Sequence, residues 1–225
     1  GSDLSAVLLG ASLGVDEICL WSARDGLLTA DPEFVADAFP IAEISYQEAL
    51  ELTHFGAKTI EPTALLPAVN ATIPVRLANA MRPETGGTRI VANPSSGEYP
   101  VRGLASIPEV CLLSLHGLGM QGVTGTAERM FGALAKNRIN VILITQASSE
   151  LSICCAVKPD DAMAGAKALK DEFAAEIASG LIAQPAIEHN LSVIAVVGEQ
   201  MKRRTGIAGR VFSALGRNGV NVVAI

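Results

Sequence analysis

The stretch ERMFGALAKNRINVILI at residues 128–144 is written again, with changes, as GRVFSALGRNGVNVVAI at residues 209–225. The similarity extends upstream, because residues 112–144 align with residues 193–225 at a constant offset of 81 and without a gap. Self-similarity at one fixed period indicates a duplicated structural module. The second half of the chain therefore contains two copies of one unit, and the identical pairs include Gly117/Gly198, Met120/Met201, Gly125/Gly206, Arg129/Arg210, Phe131/Phe212 and Asn137/Asn218.

Apolar periodicity predicts the elements of that unit. A helix is predicted over residues 125–138, where apolar residues recur at helical spacing. A second helix runs to about Phe173, with Asp160 or Asp161 as its cap and Pro159 just outside it. Strand, helix, strand, strand, helix is most of a βαββαβ unit, the ferredoxin-like plan. The predicted strands are VRGLA (101–105), CLLSLHG (111–117), NVILITQ (140–146) and LSICCAV (151–157).

The first 90 residues indicate alternating helices and strands instead. Ser45 and Glu48 form an S-x-x-E capping box at the start of a helix, and Gly56 is a suitable residue to end it. Residues 81–100, which are rich in Pro, Gly and Ser, are predicted to be a linker. The other predicted elements are helices at 3–13 and 62–70 and strands at 17–21 and 73–79.

Composition excludes several classes of function. A net charge of −6 argues against a nucleic-acid partner. The chain contains neither an apolar run of the roughly 20 residues that a membrane span requires nor a signal segment, which predicts a soluble cytoplasmic protein without a membrane partner. The four cysteines lack C-x-x-C spacing and are expected to be buried free thiols. The three histidines are scattered, so no metal site is predicted.

Gly125 and Gly206 are candidate functional positions because each lies where a strand's exit loop becomes a helix. Backbone N–H groups at a helix N-terminus can bind an anion such as an amino-acid carboxylate. A glycine needed only for the turn explains the same pattern. The residues by themselves favour neither explanation.

Several motifs together resemble one family over essentially the whole chain. The stretches GMQGVTGTAERMFGAL, LITQASSELSI and MKRRTGIAGRVFSAL resemble the paired ACT regulatory domains of aspartokinases. The stretches WSARDGLLTADP, ISYQEALEL, FGAK and LLPA resemble the C-terminal part of the aspartokinase catalytic domain, in the family's order. The overall likeness is greatest to the kinase half of bifunctional aspartokinase–homoserine dehydrogenases.

The resemblance implies an α/β and α+β fold with three parts. Residues 1–92 are expected to be the C-terminal portion of an amino-acid-kinase domain, and residues 93–100 a linker. Residues 101–225 are expected to hold tandem ACT modules. The first ACT module covers about 109–180. The second covers about 188–225 together with the strand 101–106 and is incomplete, so we expect the natural protein to continue past Ile225.

The resemblance also implies transfer of the γ-phosphoryl group of ATP, with Mg²⁺, to the β-carboxylate of L-aspartate. Ser2 and Asp3 match the motif that holds aspartate and organises the transfer, so they are the expected catalytic residues. The expected ATP-binding residues are Ser22, Asp25, Gly26 and Lys58. Because the family's upstream lysine motif and half of its kinase sheet are absent from these 225 residues, this chain alone is expected to be inactive.

Three positions depart from the family's nucleotide loop. Ala23 replaces an acid, Leu28 replaces a nucleotide-stacking tyrosine, and Glu33 replaces an arginine that faces the phosphates. Exchanging arginine for glutamate beside a triphosphate reverses the sign of that interaction. A non-catalytic amino-acid sensor with a degenerate kinase remnant is therefore the alternative hypothesis. A module that mainly holds subunits together is a third.

The regulatory part is expected to bind an end-product amino acid between paired modules, which implies a homodimer or a higher homo-oligomer. Lysine-sensitive relatives tend to have an acid where Ile142 stands, and a buried ammonium group without a counter-charge is costly. Threonine, which needs only a polar partner such as Gln146 for its hydroxyl, is the favoured effector. The expected effector-binding residues are Met120, Gly125, Ala127, Val141, Ile142, Gln146, Ser148, Ser149 and Glu150.

Overall fold

The computed structural model describes residues 1–57, 59–95, 99–146 and 151–225. These residues form two compact units. The first unit consists of Gly1–Ile107 and Ile194–Val220. The second consists of Pro108–Val193 and Asn221–Ile225. Among the described residues, none of the helices is both long and apolar enough to cross a lipid bilayer.

A four-stranded mixed sheet with the strand order β1-β3-β4-β2 forms the centre of the first unit. Strand β1 runs parallel to β3, β3 runs antiparallel to β4, and β4 runs parallel to β2. Helices α1 and α3 contact each other, and the core includes residues from both helices and from the strands. The elements are α1 (Ser2–Leu13), β1 (Ile18–Ser22), β2 (Glu43–Ser45), α2 (Tyr46–His54), α3 (Pro62–Ala71), β3 (Val75–Asn79) and β4 (Thr88–Val91).

The predicted capping box at the start of α2 is confirmed. The Ser45 hydroxyl accepts a hydrogen bond from the Glu48 N–H at 3.1 Å, and the Glu48 carboxylate accepts one from the Ser45 N–H at 3.2 Å. The helix ends at His54, with Gly56 two residues further on at φ +121°. A Cβ atom at Gly56 would lie 2.2 Å from the Ser106 carbonyl oxygen, so a close approach of backbone also requires this glycine.

Strand β4 corrects the prediction that residues 81–100 are a linker. Thr88 and Ile90 are fully buried, and β4 pairs with strands on both sides. The glycines and prolines around this strand gave a stronger sequence signal than its four residues did. At Gly87 a Cβ atom would lie 2.0 Å from the Leu77 carbonyl oxygen, so the glycine permits the close approach of β3.

The second unit has the predicted ferredoxin-like architecture, built on a sheet with the strand order β6-β7-β5-β8. Strand β7 pairs antiparallel with both β5 and β6. Helices α4 and α5 contact each other and bury the core of this unit. The elements are β5 (Gly103–His116), α4 (Thr126–Lys136), β6 (Leu143–Gln146), β7 (Ser152–Val157), α5 (Pro159–Glu172), α6 (Ala174–Ala178) and β8 (Ala186–Val197). The first residues of β5 and the last residues of β8 belong to the first unit.

Three details of this region differ from the prediction. Most of VRGLA and CLLSLHG belongs to the single strand β5, which continues through the intervening residues although Glu109 among them has φ +54°. Helix α5 begins at Pro159 with Lys158 as its cap, since proline is well tolerated at a first helical position. Residues 220–225 form no strand, and at the repeat offset of 81 only residues 224 and 225 correspond to residues of β6. Strand β6 is paired with β7, and the described residues offer no equivalent partner to residues 220–225.

The duplication extends to backbone conformation. Helix α7 (Ile207–Arg217), which lies in the first unit, begins and ends at the repeat offset from α4. Gly125 and Gly206 both precede their helices at φ +86°. Asn137 and Asn218 end the helices, and their side-chain amides donate to the carbonyls four residues earlier at 2.9 and 2.8 Å. The two copies therefore share a local structure as well as a sequence pattern.

The cysteines are free, but they are not all buried. Cys111 and Cys155 are buried, Cys154 is half-buried and Cys19 is exposed, which corrects the expectation for Cys19. Burial, with a smaller contribution from Cys154, raises the pKa of the Cys155 thiol to about 12. A thiol with that pKa is protonated at neutral pH and is a poor nucleophile.

Arg129 on α4 contacts the end of α5 and the helix α6 that follows it. Its guanidinium group forms ion pairs with Glu172, at 2.9 Å, and with Glu176, and it lies 4.4 Å above the centre of the Phe173 ring. The repeat counterpart of Arg129 is Arg210 on α7, for which no ion pair is found among the described residues. Among the described residues, the repeated arginine therefore forms ion pairs in the first copy and not in the second.

We predict that Arg129→Ala lowers the free energy of unfolding by about 1–2 kcal/mol, because several charged hydrogen bonds and a cation–π contact are lost from a partly solvent-screened site. The matched variant Arg210→Ala should change it by less than about 0.5 kcal/mol. Urea denaturation monitored by circular dichroism measures both values, and equal losses would contradict the assignment.

The Arg129 effect should also depend on pH. The hydrogen bond from Arg129 lowers the pKa of the Glu176 carboxyl below its ordinary value. A lowered folded-state pKa contributes stability above the ordinary carboxyl range, and this contribution is lost as the pH falls through the folded-state value. The difference between the wild-type chain and Arg129→Ala should therefore shrink in acid.

Candidate functional site

Polar side chains gather at the carboxyl ends of β1 and β3. The two strands are parallel neighbours, and Ser22 at the end of β1 lies beside Asn79 at the end of β3. The carboxyl edge of parallel strands is the usual location of a ligand site in an open α/β sheet. We call Ser22, Asp25, Gly26, Asn79 and Arg82 the Asp25 cluster.

Asp25 is held on both of its carboxylate oxygens. The Asn79 amide donates to one oxygen at 2.8 Å, and the Arg82 guanidinium pairs with the other at 2.6 Å. Asn79 is 2% exposed, and its side-chain oxygen Oδ1 accepts a hydrogen bond from the Met81 N–H at 2.8 Å. The Arg82 side chain, in contrast, is 59% exposed. The cluster therefore exposes the Arg82 guanidinium group to solvent. This group is paired with the Asp25 carboxylate, which the buried Asn79 amide holds in place.

Gly26 closes the loop that carries Asp25. Its φ of +100° favours glycine, and a Cβ atom there would lie 2.4 Å from the Thr88 hydroxyl oxygen. That hydroxyl accepts the Leu27 N–H at 2.8 Å. The Thr59 hydroxyl donates to the Gly26 carbonyl at 3.4 Å, which connects this loop with the segment that follows FGAK. The expected ATP-binding residue Lys58, the last residue of FGAK, lies outside the described residues.

The other predicted kinase residues are arranged locally. The Ser22 hydroxyl accepts the Arg24 N–H at 3.0 Å. Ser2 and Asp3 lie in the first turn of α1, where the Ser2 hydroxyl donates to the Asp3 carboxylate at 3.3 Å. Among the contacts of the described residues, none joins Ser2 or Asp3 to the Asp25 cluster.

Sequence analysis missed Asn79, Arg82 and Thr88. Asn79 is the last letter of the predicted strand IPVRLAN, and a polar residue at the carboxyl end of a predicted strand is a usable signal. Arg82 and Thr88 lie in the segment that was predicted to be a linker, so no local pattern pointed to them. In the described parts of the chain, no group of three or more His, Cys, Asp or Glu side chains is placed to hold a metal ion.

We predict that Asn79→Ala lowers the free energy of unfolding by about 1–3 kcal/mol, because it leaves the Met81 N–H and one Asp25 oxygen without partners. Asn79→Asp should cost more, because it places a second carboxylate beside Asp25. The exposed Asn70 on α3 is a matched control, and Asn70→Ala should cost less than about 0.5 kcal/mol. Denaturant titrations test the order, and an equal effect at positions 79 and 70 would refute it.

The second candidate site is the loop before α4 in the first repeat. Met120 is 2% exposed and belongs to the core of the second unit. Gly125 is exposed at φ +86°, and no atom lies within 4 Å of a Cβ placed there. The positive φ is sufficient to explain a glycine at this turn. Whether the adjacent N–H groups also bind an anion stays a prediction.

Of the other predicted effector residues, Ala127 lies in the first turn of α4, Val141 and Ile142 lie just before β6, and Gln146 ends β6. Ala127, Val141 and Ile142 are half-buried, and the Ile142 N–H donates to the Ala156 carbonyl at 2.8 Å. Gln146 is exposed at the end of β6, opposite Ile153. The remaining predicted effector residues, Ser148, Ser149 and Glu150, lie outside the described residues.

Comparison with known families identifies both parts of the chain. Residues 1–79 match the amino acid kinase family, and residues 113–173 and 194–225 match the ACT domain. The first part of the chain is therefore similar to amino acid kinases, and the second part is similar to ACT domains. The second ACT match covers residues 194–225, within the repeat found in the sequence.

Individual relatives are aspartokinases, so the predicted resemblance is confirmed. A bifunctional aspartokinase/homoserine dehydrogenase from Haemophilus influenzae is 40% identical over the whole chain, which spans 28% of that relative's length. The structure of Escherichia coli aspartokinase III in complex with aspartate and ADP matches 96% of the chain at 32% identity and a TM-score of 0.78. The chain covers 47% of the length of that enzyme. The same enzyme in complex with lysine and aspartate is 33% identical, with the same coverages and a TM-score of 0.72.

Proposed function

We propose that this chain is part of an aspartate kinase that transfers a phosphoryl group from ATP to L-aspartate. The proposal rests on one observation: amino acid kinase and ACT sequence occur on one chain, whose 32%-identical structural neighbour is described in complex with aspartate and ADP. Residues 1–92 would belong to the catalytic domain, and the regulatory region would begin at about residue 101 after a short linker.

Phosphoryl transfer depends mainly on positioning and on neutralisation of phosphate charge. Ser2 and Asp3 would hold aspartate, while Ser22, Asp25, Gly26 and Lys58 would contact ATP, which brings Mg²⁺ with it. Glu33 supplies no positive charge, and its N–H donates to Asp31 at 2.9 Å. The exposed guanidinium of Arg82, paired with Asp25, offers a cation at the same strand edge. Arg82 would then replace the missing arginine as a phosphate-binding group.

The regulatory part would bind threonine and act within a homodimer or a larger homo-oligomer. Gln146 at the exposed end of β6 can pair with a threonine hydroxyl, whereas Ile142 gives a lysine ammonium group no counter-charge. Escherichia coli aspartokinase III, a relative described with lysine, makes lysine the competing effector.

A non-catalytic amino-acid sensor is the second candidate function. It is favoured by Leu28, which occupies the place of a nucleotide-stacking residue and forms a backbone bridge with Pro40. Glu33 is exposed in the same loop. A loop held in this way would bind nucleotide weakly, while the ACT part would still respond to an amino acid.

Steady-state assay of the full-length natural protein with ATP and aspartate separates the two functions. We expect aspartyl-phosphate formation, trapped as the hydroxamate, and a loss of at least about 100-fold in kcat for Asp3→Asn. Asp16, an exposed residue just after α1, provides the control, and Asp16→Asn should keep the wild-type rate. No activity in the correctly folded wild-type protein would refute the kinase and favour the sensor.

Titration calorimetry with threonine, lysine and methionine tests the effector. We expect threonine to bind, and Gln146→Ala to weaken its binding by about tenfold, the usual effect of removing one hydrogen bond in a binding site. The exposed Gln184 serves as the control, and Gln184→Ala should bind threonine as the wild-type protein does. Heat with lysine alone would contradict the threonine assignment.

A further inference from the structure

Glu48 is a buried carboxylate whose partners come from three segments of the first unit. It is 2% exposed, and one oxygen accepts the Ser45 N–H at 3.2 Å within the capping box of α2. The other oxygen accepts the Glu199 N–H at 2.9 Å. The Arg102 guanidinium, whose side chain is 13% exposed, lies 3.6 Å from the first oxygen. Capping the helix requires only the bond to Ser45, so the other two contacts need a separate explanation.

A second bond joins the same segments. The Ser45 hydroxyl donates to the Glu199 carboxylate at 3.1 Å while it caps α2. We call Ser45, Glu48, Arg102 and Glu199 the Glu48 cluster. Removing a single donor from a buried carboxylate leaves charge without compensation, so the members of such a cluster depend on one another.

Comparison of the two repeats shows what the cluster adds. Glu199 corresponds to Leu118 of the first repeat, whose side chain is 78% exposed. Glu199 follows Gly198, where a Cβ atom would lie 2.2 Å from the Pro100 carbonyl oxygen. Leu118 follows Gly117, where a Cβ atom would lie 2.3 Å from the Leu181 carbonyl oxygen. The two turns are therefore built alike. The carboxylate contact occurs at the second turn, and among the described residues no counterpart is found at the first, so the module does not need it in order to fold.

We propose that the Glu48 cluster is a joint that couples the second repeat to the kinase portion of the chain. Glu48 lies in the residues that match the amino acid kinase family, and Glu199 lies in those that match the ACT domain. Because a buried carboxylate holds the N–H of the second turn, displacement of that turn breaks the bond unless α2 moves with it. A displacement of the second repeat therefore alters the contacts of α2. The effect of this coupling on regulation of the kinase rests on the proposed function.

Glu199→Pro tests the joint at its donor. Proline removes the N–H together with the Glu199 side chain, and it suits the first position of the short 3₁₀ helix Glu199–Arg203. Glu199→Ala keeps the N–H and removes the side chain, and Leu118→Pro makes the same change at the equivalent turn of the first repeat. Hydrogen exchange followed by mass spectrometry should show about 10–100-fold faster exchange in α2 for Glu199→Pro, a smaller increase for Glu199→Ala and none for Leu118→Pro.

Glu48→Gln tests the joint from the other side, since it keeps the shape of the side chain and removes its charge. Exchange in residues 200–205 should rise by about tenfold or more, because coupling between two elements is reciprocal. The control is Glu51→Gln on the same helix, whose exposed side chain accepts a hydrogen bond from Gln47 at 3.4 Å. Equal exchange in Glu48→Gln and Glu51→Gln, or an unaffected α2 in Glu199→Pro, overturns the joint.

The regulatory consequence is tested in the full-length protein with threonine. Glu48→Gln should raise the threonine concentration for half-maximal inhibition by about 5–150-fold and keep the uninhibited rate within about twofold. Glu51→Gln should leave both unchanged. A normal threonine response in Glu48→Gln overturns the regulatory role. A full-length protein without kinase activity overturns the proposed function and the regulatory consequence with it, while the exchange measurements still decide whether the joint exists.

Discussion

Glu48, Asn79 and Thr88 are polar side chains that the fold removes from water, and each must recover the hydrogen bonds that it loses. No buried side-chain nitrogen or oxygen among the described residues is left without a partner. The hydrogen bonds that meet this requirement connect separate segments of the first unit. Asn79 fixes the carboxylate of Asp25, Thr88 fixes the backbone of Leu27, and Glu48 fixes the turn at Glu199. These contacts place the candidate nucleotide loop against the sheet and hold the turn at Glu199 against α2.

Duplication gives the two repeats the same backbone and different surroundings. Helices α4 and α7 begin after glycines with the same φ and end at asparagines with the same hydrogen bond. Arg129 binds Glu172 and Glu176, whereas Arg210 has no ion pair among the described residues. Glu199 is bound by Glu48, whereas Leu118 is exposed. The module therefore sets the local conformation, and the segments packed against it decide what each copy can do.

Elements with strong local signals were predictable. The capping box of α2, the helices α1 and α3 and the repeated unit follow from spacing and from residues that stabilise a helix end. Strand β4 was not predictable, because its four residues lie between glycines and prolines and become a strand only by pairing with β2 and β3. The same reason applies to residues 224 and 225, which correspond to the start of β6 but have no paired strand in the described chain. In the candidate site Asp25 and Gly26 were visible as a motif, while Arg82 was not.

The sequence by itself determined the duplication, the ferredoxin-like plan of the repeated unit and the resemblance to aspartokinases, because periodicity and motif order are properties of the chain. It also determined which residues begin and end most of the helices, since helix ends depend on near neighbours. Only the tertiary structure decided that Asn79 and Arg82 meet Asp25 and that Glu48 meets Glu199. Glu48 and Glu199 are 151 residues apart. The physical reason is that a buried polar group takes its partner from whichever segment packs against it, and no local pattern records that choice.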